Sequence, residues 1–297
     1  MWPTDCPRGG IGAAYGRAHA PGPGPRPGIG RVRSTSRCRD AHKEVVRRLR
    51  HPGRHGHVAY AARIGLGPAS FPYQAILTGR RGEPLEQRWR MSYRGVQDPE
   101  GGTAEWRWPR LAFSATWSAT ASGIDNVLLH RPDLGIVWRC HFPRADVRGR
   151  LDGAPFEGVG YLEELLVDGN PTAVPIRELR WGRFLSARDW LVWIDWRGAH
   201  PLTLVYHNGA LIADASVTDT AVSLPDGRLA LDGTERWTLR EERAGASTFP
   251  NRRWLRSALP RTLADLREHK WAAPGCFIDQ EGSRSLGWTV FERVTWP

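Results

Sequence analysis

"DWLVWIDWRG", residues 189–198, alternates with a period of two: Trp190, Val192, Ile194 and Trp196 fall on one side, Leu191, Trp193, Asp195 and Arg197 on the other. A helix would scatter these residues around its circumference. An extended strand sorts them into an unbroken apolar face and a second face that also carries large side chains. A strand of this kind is expected to be covered on both sides.

Similar runs recur on either side of it. "YQAILTG", "EQRWRMSYR", "NVLLHR", "GIVWRCHF", "GVGYLEEL", "LRWGRFLS", "LTLVYHNG", "ALIADASV", "RLALDG", "ERWTLREE" and "LGWTVFERVTW" are rich in Trp, Val, Leu, Thr and Tyr and are separated by Gly, Pro, Asn and Asp. Short strands joined by short turns predict an all-β fold, an antiparallel barrel or a large β-sandwich, and not a βαβ protein. One helix is expected over about 257–270, where Ser257 caps "ALPRTLADLREHK" and Leu259, Leu263 and Leu266 share a stripe that packs on a sheet.

The chain has 297 residues, enough for two modest domains or one large β-domain. Its formal charge of +11 is unevenly placed, since residues 1–57 hold 12 Lys and Arg against 3 Asp and Glu. The remainder is close to neutral, which argues against a broad basic face and a specific nucleic-acid partner. Residues 1–57, typified by "APGPGPRPGIGRVR", are expected to be a disordered arm. Two origins fit it: a basic tail making weak contact with anionic surfaces, or an upstream extension from a misassigned start. A short helix over "DAHKEVVRRLR", with Asp40 at its N-cap, is conceivable within it. His51, His55 and His57 read as part of a solvated tail, without the carboxylates or thiolates a metal tract needs. No metal or cofactor is expected.

Cys6, Cys38, Cys140 and Cys276 have no C-x-x-C spacing, and Cys140 alternates with Ile136, Trp138 and Phe142 as a buried free thiol would. That pattern fits a reducing cytoplasm. The longest obvious apolar run, Trp190–Ile194, is too short for a transmembrane segment. There is no nucleophile elbow, Gly-rich phosphate loop, H-E-x-x-H or DNA-binding helix pair, so hydrolase, kinase and dehydrogenase readings lack a foundation.

Candidate reactive groups cluster in the middle of the chain. Asp195 follows Trp193 on one strand face, where burial would favour a protonated acid; an ion pair with Arg180, Arg183 or Arg197 is the competing reading. Glu163 shares a face with Tyr161, which would orient it as a proton donor, against a salt-bridged Glu in a bent strand marked by Gly158 and Gly160. Trp181 and Arg183 share a face on which an Arg can stack on an indole or clamp a carboxylate. His207, before an Asn-Gly turn, reads as a turn residue rather than a base. "GVGYLEE" (158–164) is echoed by "SLGWTVFE" (285–292), which pairs Trp288 with Glu292 as Tyr161 pairs with Glu163; two related strands in two halves would explain it.

"WRCHFPRADV", "FEGVGYLEEL", "ELRWGRFLS", "VWIDWRG" and "GWTVFERVTWP" together resemble the lipocalin-like (calycin) superfamily that includes carotenoid 1,2-hydratase and tocopherol cyclase. The resemblance implies two consecutive lipocalin-like β-barrels, here 58–198 and 199–297, enclosing an apolar cavity. It also implies a cofactor-independent reaction in which an acid protonates an isoprenoid alkene. A His-x-Trp and Tyr-x-Asp pair of the hydratase type is missing; "GYLEE" and "WIDW" stand in its place. The expectation is a protein binding an apolar, isoprenoid or polyketide-like molecule. Glu163, Asp195 and Tyr161 would be its catalytic residues, and Trp181, Arg183, Trp193, Trp196, Trp288 and Glu292 its ligand contacts. The alternative is a non-catalytic lipid or pigment carrier whose ionisable residues form a structural salt-bridge network.

Overall fold

A computed structural model describes residues 37–45, 55–66, 69–80, 85–231, 236–243 and 260–297. The fold is all-β, built from two curled antiparallel sheets. Among the described residues the first sheet comprises β1 (Arg37–Val45), β2 (His55–Leu66), β3 (Ala69–Arg80), β4 (Glu86–Arg90), β5 (Thr103–Trp108), β6 (Phe113–Ala119), β7 (Ile124–His130), β8 (Leu134–Leu151) and β9 (Ala154–Gly169). The second comprises β10 (Ile176–Ser186), β11 (Trp190–Gly198), β12 (Leu202–His207), β13 (Ala210–Leu211), β14 (Ser216–Val217), β15 (Ala221–Leu224), β16 (Gly227–Ala230), β17 (Trp237–Arg243), β18 (Arg267–Asp279) and β19 (Arg284–Thr295).

The two sheets repeat one topology. The first runs β4-β3-β2-β1-β9-β8-β6-β5 and the second β13-β12-β11-β10-β19-β18-β16-β15-β14, with β7 and β17 added beside β8 and β18 respectively. In each, the first strand of the segment pairs with the last. The echoed motifs "GVGYLEE" and "SLGWTVFE" lie on β9 and β19, which hold equivalent places.

Three expectations are corrected. Arg37–Val45, assigned to the disordered arm and partly to a helix, is a strand whose backbone pairs with β2 on one side and β9 on the other. The rest of the arm, 1–36 and 46–54, lies outside the described residues. Of the helix expected over 257–270, residues 257–259 lie outside the described residues; among the described ones a single turn is helical, α1 (Arg261–Ala264), and Arg267 onward is drawn into β18 by an unbroken ladder to β19. The change from first to second sheet falls at residues 170–175, where Pro171 and Pro175 flank a short 3₁₀ turn, and not at 198; β10 and β11 therefore belong to the second sheet.

Alternation along the strands divides the core. Inward-facing residues of the first sheet, among them Trp106, Trp108, Phe113, Trp117, Phe142 and Leu162, form one cluster. Phe184, Leu191, Trp193, Val222 and Phe277 form its counterpart inside the second. The outer faces pack on each other through a third cluster containing Trp138, Cys140 and Tyr161 from the first sheet and Trp181, Trp190, Ile194 and Trp196 from the second. A smaller fourth cluster joins Val58, Tyr60 and Tyr73 to Leu239, Ala272 and Val290. Both faces of β11 are thus covered. The Trp193 indole fits because Gly182 lies opposite it, where any Cβ would overlap the ring.

The open side of the first sheet is drawn together by the chain that leaves β4. Val96 bridges Trp106 on β5, Arg107 N–H donates to Gly95 O at 2.8 Å, and Gln97 N–H donates to Glu105 O at 3.2 Å. Gly95 has φ +73°, and a Cβ there would overlap the Arg107 carbonyl oxygen, so only glycine fits this crossing. His57, read as part of a solvated tail, is buried on β2 with Nδ1 3.4 Å from Thr78 Oγ1 and its ring against Phe156.

Candidate functional site

The residues singled out from the sequence fall into three places. Glu163, Tyr161, Arg183 and Trp181 meet where the outer faces of the two sheets pack. Arg183 on β10 is 1% exposed, and its guanidinium pairs with Glu163 of β9. It also lies 3.8 Å over the Tyr161 ring and 3.3 Å from Cys140 Sγ. Trp138 Nε1 donates to Glu163 at 2.9 Å. The period of two puts Tyr161 with Glu163 and Trp181 with Arg183, and the packing of β9 against β10 brings the pairs together.

Arg183 has donors to spare: its Nε and Nη1 are buried without a hydrogen-bond partner among the described residues, as are Nε1 of Trp181 and Trp196. Burial pulls the guanidinium towards neutrality, but Cys140 and Glu163 outweigh it and hold Arg183 firmly charged. Burial pushes the Cys140 thiol up to about 12, with Arg183 opposing. Cys140 is a free buried thiol, whereas Cys276 is disulfide-bonded, which no cysteine spacing predicts and which weakens the argument for a reducing compartment.

Glu292 extends the charged layer. Its carboxylate lies 2.8 Å from Lys270 Nζ, which donates to Tyr60 OH at 2.8 Å. Arg240 pairs with Glu268 at 2.9 Å and lies over the Tyr60 ring. Burial raises the Glu292 carboxyl above its ordinary range; Lys270 opposes this, while Glu268 and Glu163 add to it. Arg183, Arg240 and Lys270 thus face Glu163, Glu268 and Glu292 in a charge-matched interior layer.

Asp195 lies apart from these groups, on the opposite face of the second sheet. It accepts from Arg197 Nε at 3.0 Å and Thr203 Oγ1 at 2.7 Å. Trp193 is inside the second sheet, Trp196 is at the packed outer face, and half-buried Trp288 meets Trp237 edge to face at 5.4 Å. His207 ends β12 at the Asn208-Gly209 turn and meets Asp189 at 3.1 Å.

A different feature was not found from the sequence. A cleft of about 1080 Å³ is lined by β2, β3, the end of β4, the β4–β5 connection, the end of β5 and the turn after it. Pro72, Met91, Tyr93, Trp108 and Pro109 supply apolar surface, and Arg63, Arg90, Arg94, Arg107 and Arg110 supply charge. The residues lining it include no carboxylate. The signal was the interleaving of Arg with aromatics in "RWRMSYRG" (88–95) and "RWPR" (107–110), which reads locally as ordinary exposed strand faces. Among the described residues no group of three His, Cys, Asp or Glu is placed to hold a metal ion, and no helix is long and apolar enough to cross a membrane.

No family model and no curated protein matches the chain. Solved structures similar to it include a putative AttH (NE1406) from Nitrosomonas europaea, 11% identical, with 87% of this chain and 91% of that one covered and a TM-score of 0.47. CghA is similar at 10% identity, 87% of each chain and a TM-score of 0.46. CghA with Sch210972 gives 9%, 87% of this chain, 88% of that one and 0.43.

Proposed function

We propose that the protein is a small-molecule carrier that holds a largely apolar ligand, of isoprenoid or polyketide-like character, in the cleft at the edge of the first sheet. The observation that carries this reading is the cleft itself. Its volume of about 1080 Å³ is of the order of known ligand sites, roughly 300–1,000 Å³, and its walls combine aromatic, methionine and proline surface with five arginines and the polar side chains of Ser70, Gln74 and Ser92. The charged residues elsewhere favour a carrier over an acid catalyst. Glu163, Asp195 and Glu292 each contact a cation, and a carboxylate so engaged accepts hydrogen bonds, whereas protonating an alkene takes a neutral carboxyl.

One observation supports a second reading, cofactor-independent hydration or cyclisation of an alkene. Glu292 is the candidate acid whose carboxyl is raised by burial, and a raised carboxyl can deliver a proton near neutral pH. Native mass spectrometry after gentle purification separates the two. An intact ligand recovered unaltered supports the carrier; a chemically changed product that disappears in Glu292→Gln supports the enzyme. Protein that consistently emerges empty, and that takes up no apolar molecule offered to it, refutes both.

A further inference from the structure

We infer that the cleft selects an anionic amphiphile: an apolar body carrying a carboxylate or phosphate gripped by the arginines at its rim. This rests on the ligand-binding reading of the cleft and adds the chemical class of the ligand. Five guanidiniums, charged at any physiological pH, surround one opening. Arg107 is paired with Glu105 at the edge of this group. Like charges gathered this way repel one another, and an entering anion relieves the repulsion while accepting the forked donors that suit carboxylate and phosphate.

The arrangement is built rather than a chance scatter of surface charge. Arg63 is stacked 4.5 Å over the Tyr93 ring. Gln74, 3% exposed, donates from Nε2 to Arg94 O at 2.7 Å and fixes the connection that carries Arg94, while its backbone pairs with Arg90 at the end of β4. The Gly95 crossing ties that connection to β5, so Arg94 and Arg107 face the same opening from two segments. Trp108, 2% exposed, also lines the cleft, and its buried indole N–H has no acceptor among the described residues. Arginine charge and aromatic surface lining one cleft match a molecule with an apolar body and one anionic end.

The test is calorimetric titration of the full chain with dodecanoate, dodecyl phosphate and dodecanol at moderate salt. The expected result is at least tenfold tighter binding of the two anions than of the alcohol. Arg94→Gln/Arg110→Gln, two exposed positions, should weaken the anions about tenfold and leave dodecanol within about twofold, because hydrogen bonds to charged groups carry the difference. Arg94→Lys/Arg110→Lys should recover part of the loss, which a folding defect would not allow. Equal affinity of all three ligands for the unaltered protein overturns anion selection and leaves the carrier reading standing. An anion preference that survives in the glutamine variant also overturns the inference, by moving the site elsewhere. Binding of none of the three overturns both readings. Vesicles containing phosphatidylserine distinguish the sources of such an anion: retention on vesicles without binding of monomeric dodecanoate assigns the arginines to surface adsorption and overturns the inference.

Discussion

Arg183→Met is the perturbation that most directly probes how the two sheets are held together. The substitution removes a guanidinium that is 1% exposed and leaves the Glu163 carboxylate at a packed interface with, among the described residues, only the Trp138 indole N–H as donor. Removing one partner of a buried ion pair costs about 3–5 kcal/mol, because the remaining charge is stranded. Loss of the stacking on Tyr161 adds roughly 1–2 kcal/mol, since the contact is desolvated. Against a total stability of about 5–15 kcal/mol, this is a large fraction. Removing both charges, in Glu163→Leu/Arg183→Met, is expected to return stability to within about 2 kcal/mol of the unaltered protein, because apolar replacement of a buried pair is often neutral. Urea unfolding of the four proteins in a double-mutant cycle measures the coupling. Ligand affinity of the cleft should be unchanged in the double variant, since Glu163 and Arg183 are not among the residues lining it. A single-variant loss below about 1 kcal/mol, or a double variant no better than the sum of the singles, refutes the buried-pair reasoning.

Other outcomes follow from individual contacts. Gly95→Ala should lower the unfolding free energy measured in urea, by roughly 1–2 kcal/mol for the left-handed backbone alone and more for the overlap with Arg107 O, and should abolish anion binding in the cleft. The Cys140 thiol, raised to about 12 by burial, should resist thiol reagents at neutral pH until the chain is unfolded in urea, as followed by thiol titration. Asp189 is held below its ordinary range: burial opposes this, but hydrogen bonds from Ser285, His207 and Asn208 prevail. Its folded value is therefore lower than its unfolded one of about 3.8, and its contribution is present above that value and is lost as pH falls through the folded one. Asp189→Asn should be less stable than the unaltered protein at neutral pH, and the gap should close in denaturation series run into strong acid.

The strands were largely legible because alternation is a local signal. The two faces of β11 can be read from ten residues, and the Gly-aromatic-Glu echo led to two strands that hold equivalent positions in the repeated topology. Tertiary pairing defeated the readings that rested on local propensity. Leu259, Leu263 and Leu266 have helical spacing, yet the residues from Arg267 onward find a full-length partner in β19. Arg37–Val45 has no apolar periodicity of its own and becomes a strand because β2 and β9 satisfy its backbone from either side. The change of sheet at 170–175 coincides with "NPTAVP", a local break whose two prolines interrupt strand pairing. Of the candidate acids, Glu163 could be placed beside Tyr161, but its meeting with Arg183 depends on how the sheets stack, which one strand does not encode. The arginines of the cleft come from β2, β4, the β4–β5 connection, β5 and the turn after it, so its charges converge only once the sheet has curled.

The pairing of the earliest strand with the last in both segments sets a timetable for synthesis. While the ribosome is still making β8, the seat between β1 and β8 stands vacant, and only the arrival of β9 zips the two together. The second segment must wait in the same way for β19, the final strand of the described chain. A nascent chain halted between those two moments would carry one finished sheet whose outer tryptophan and tyrosine surface is still bare, and it is at that stage that a chaperone would be needed.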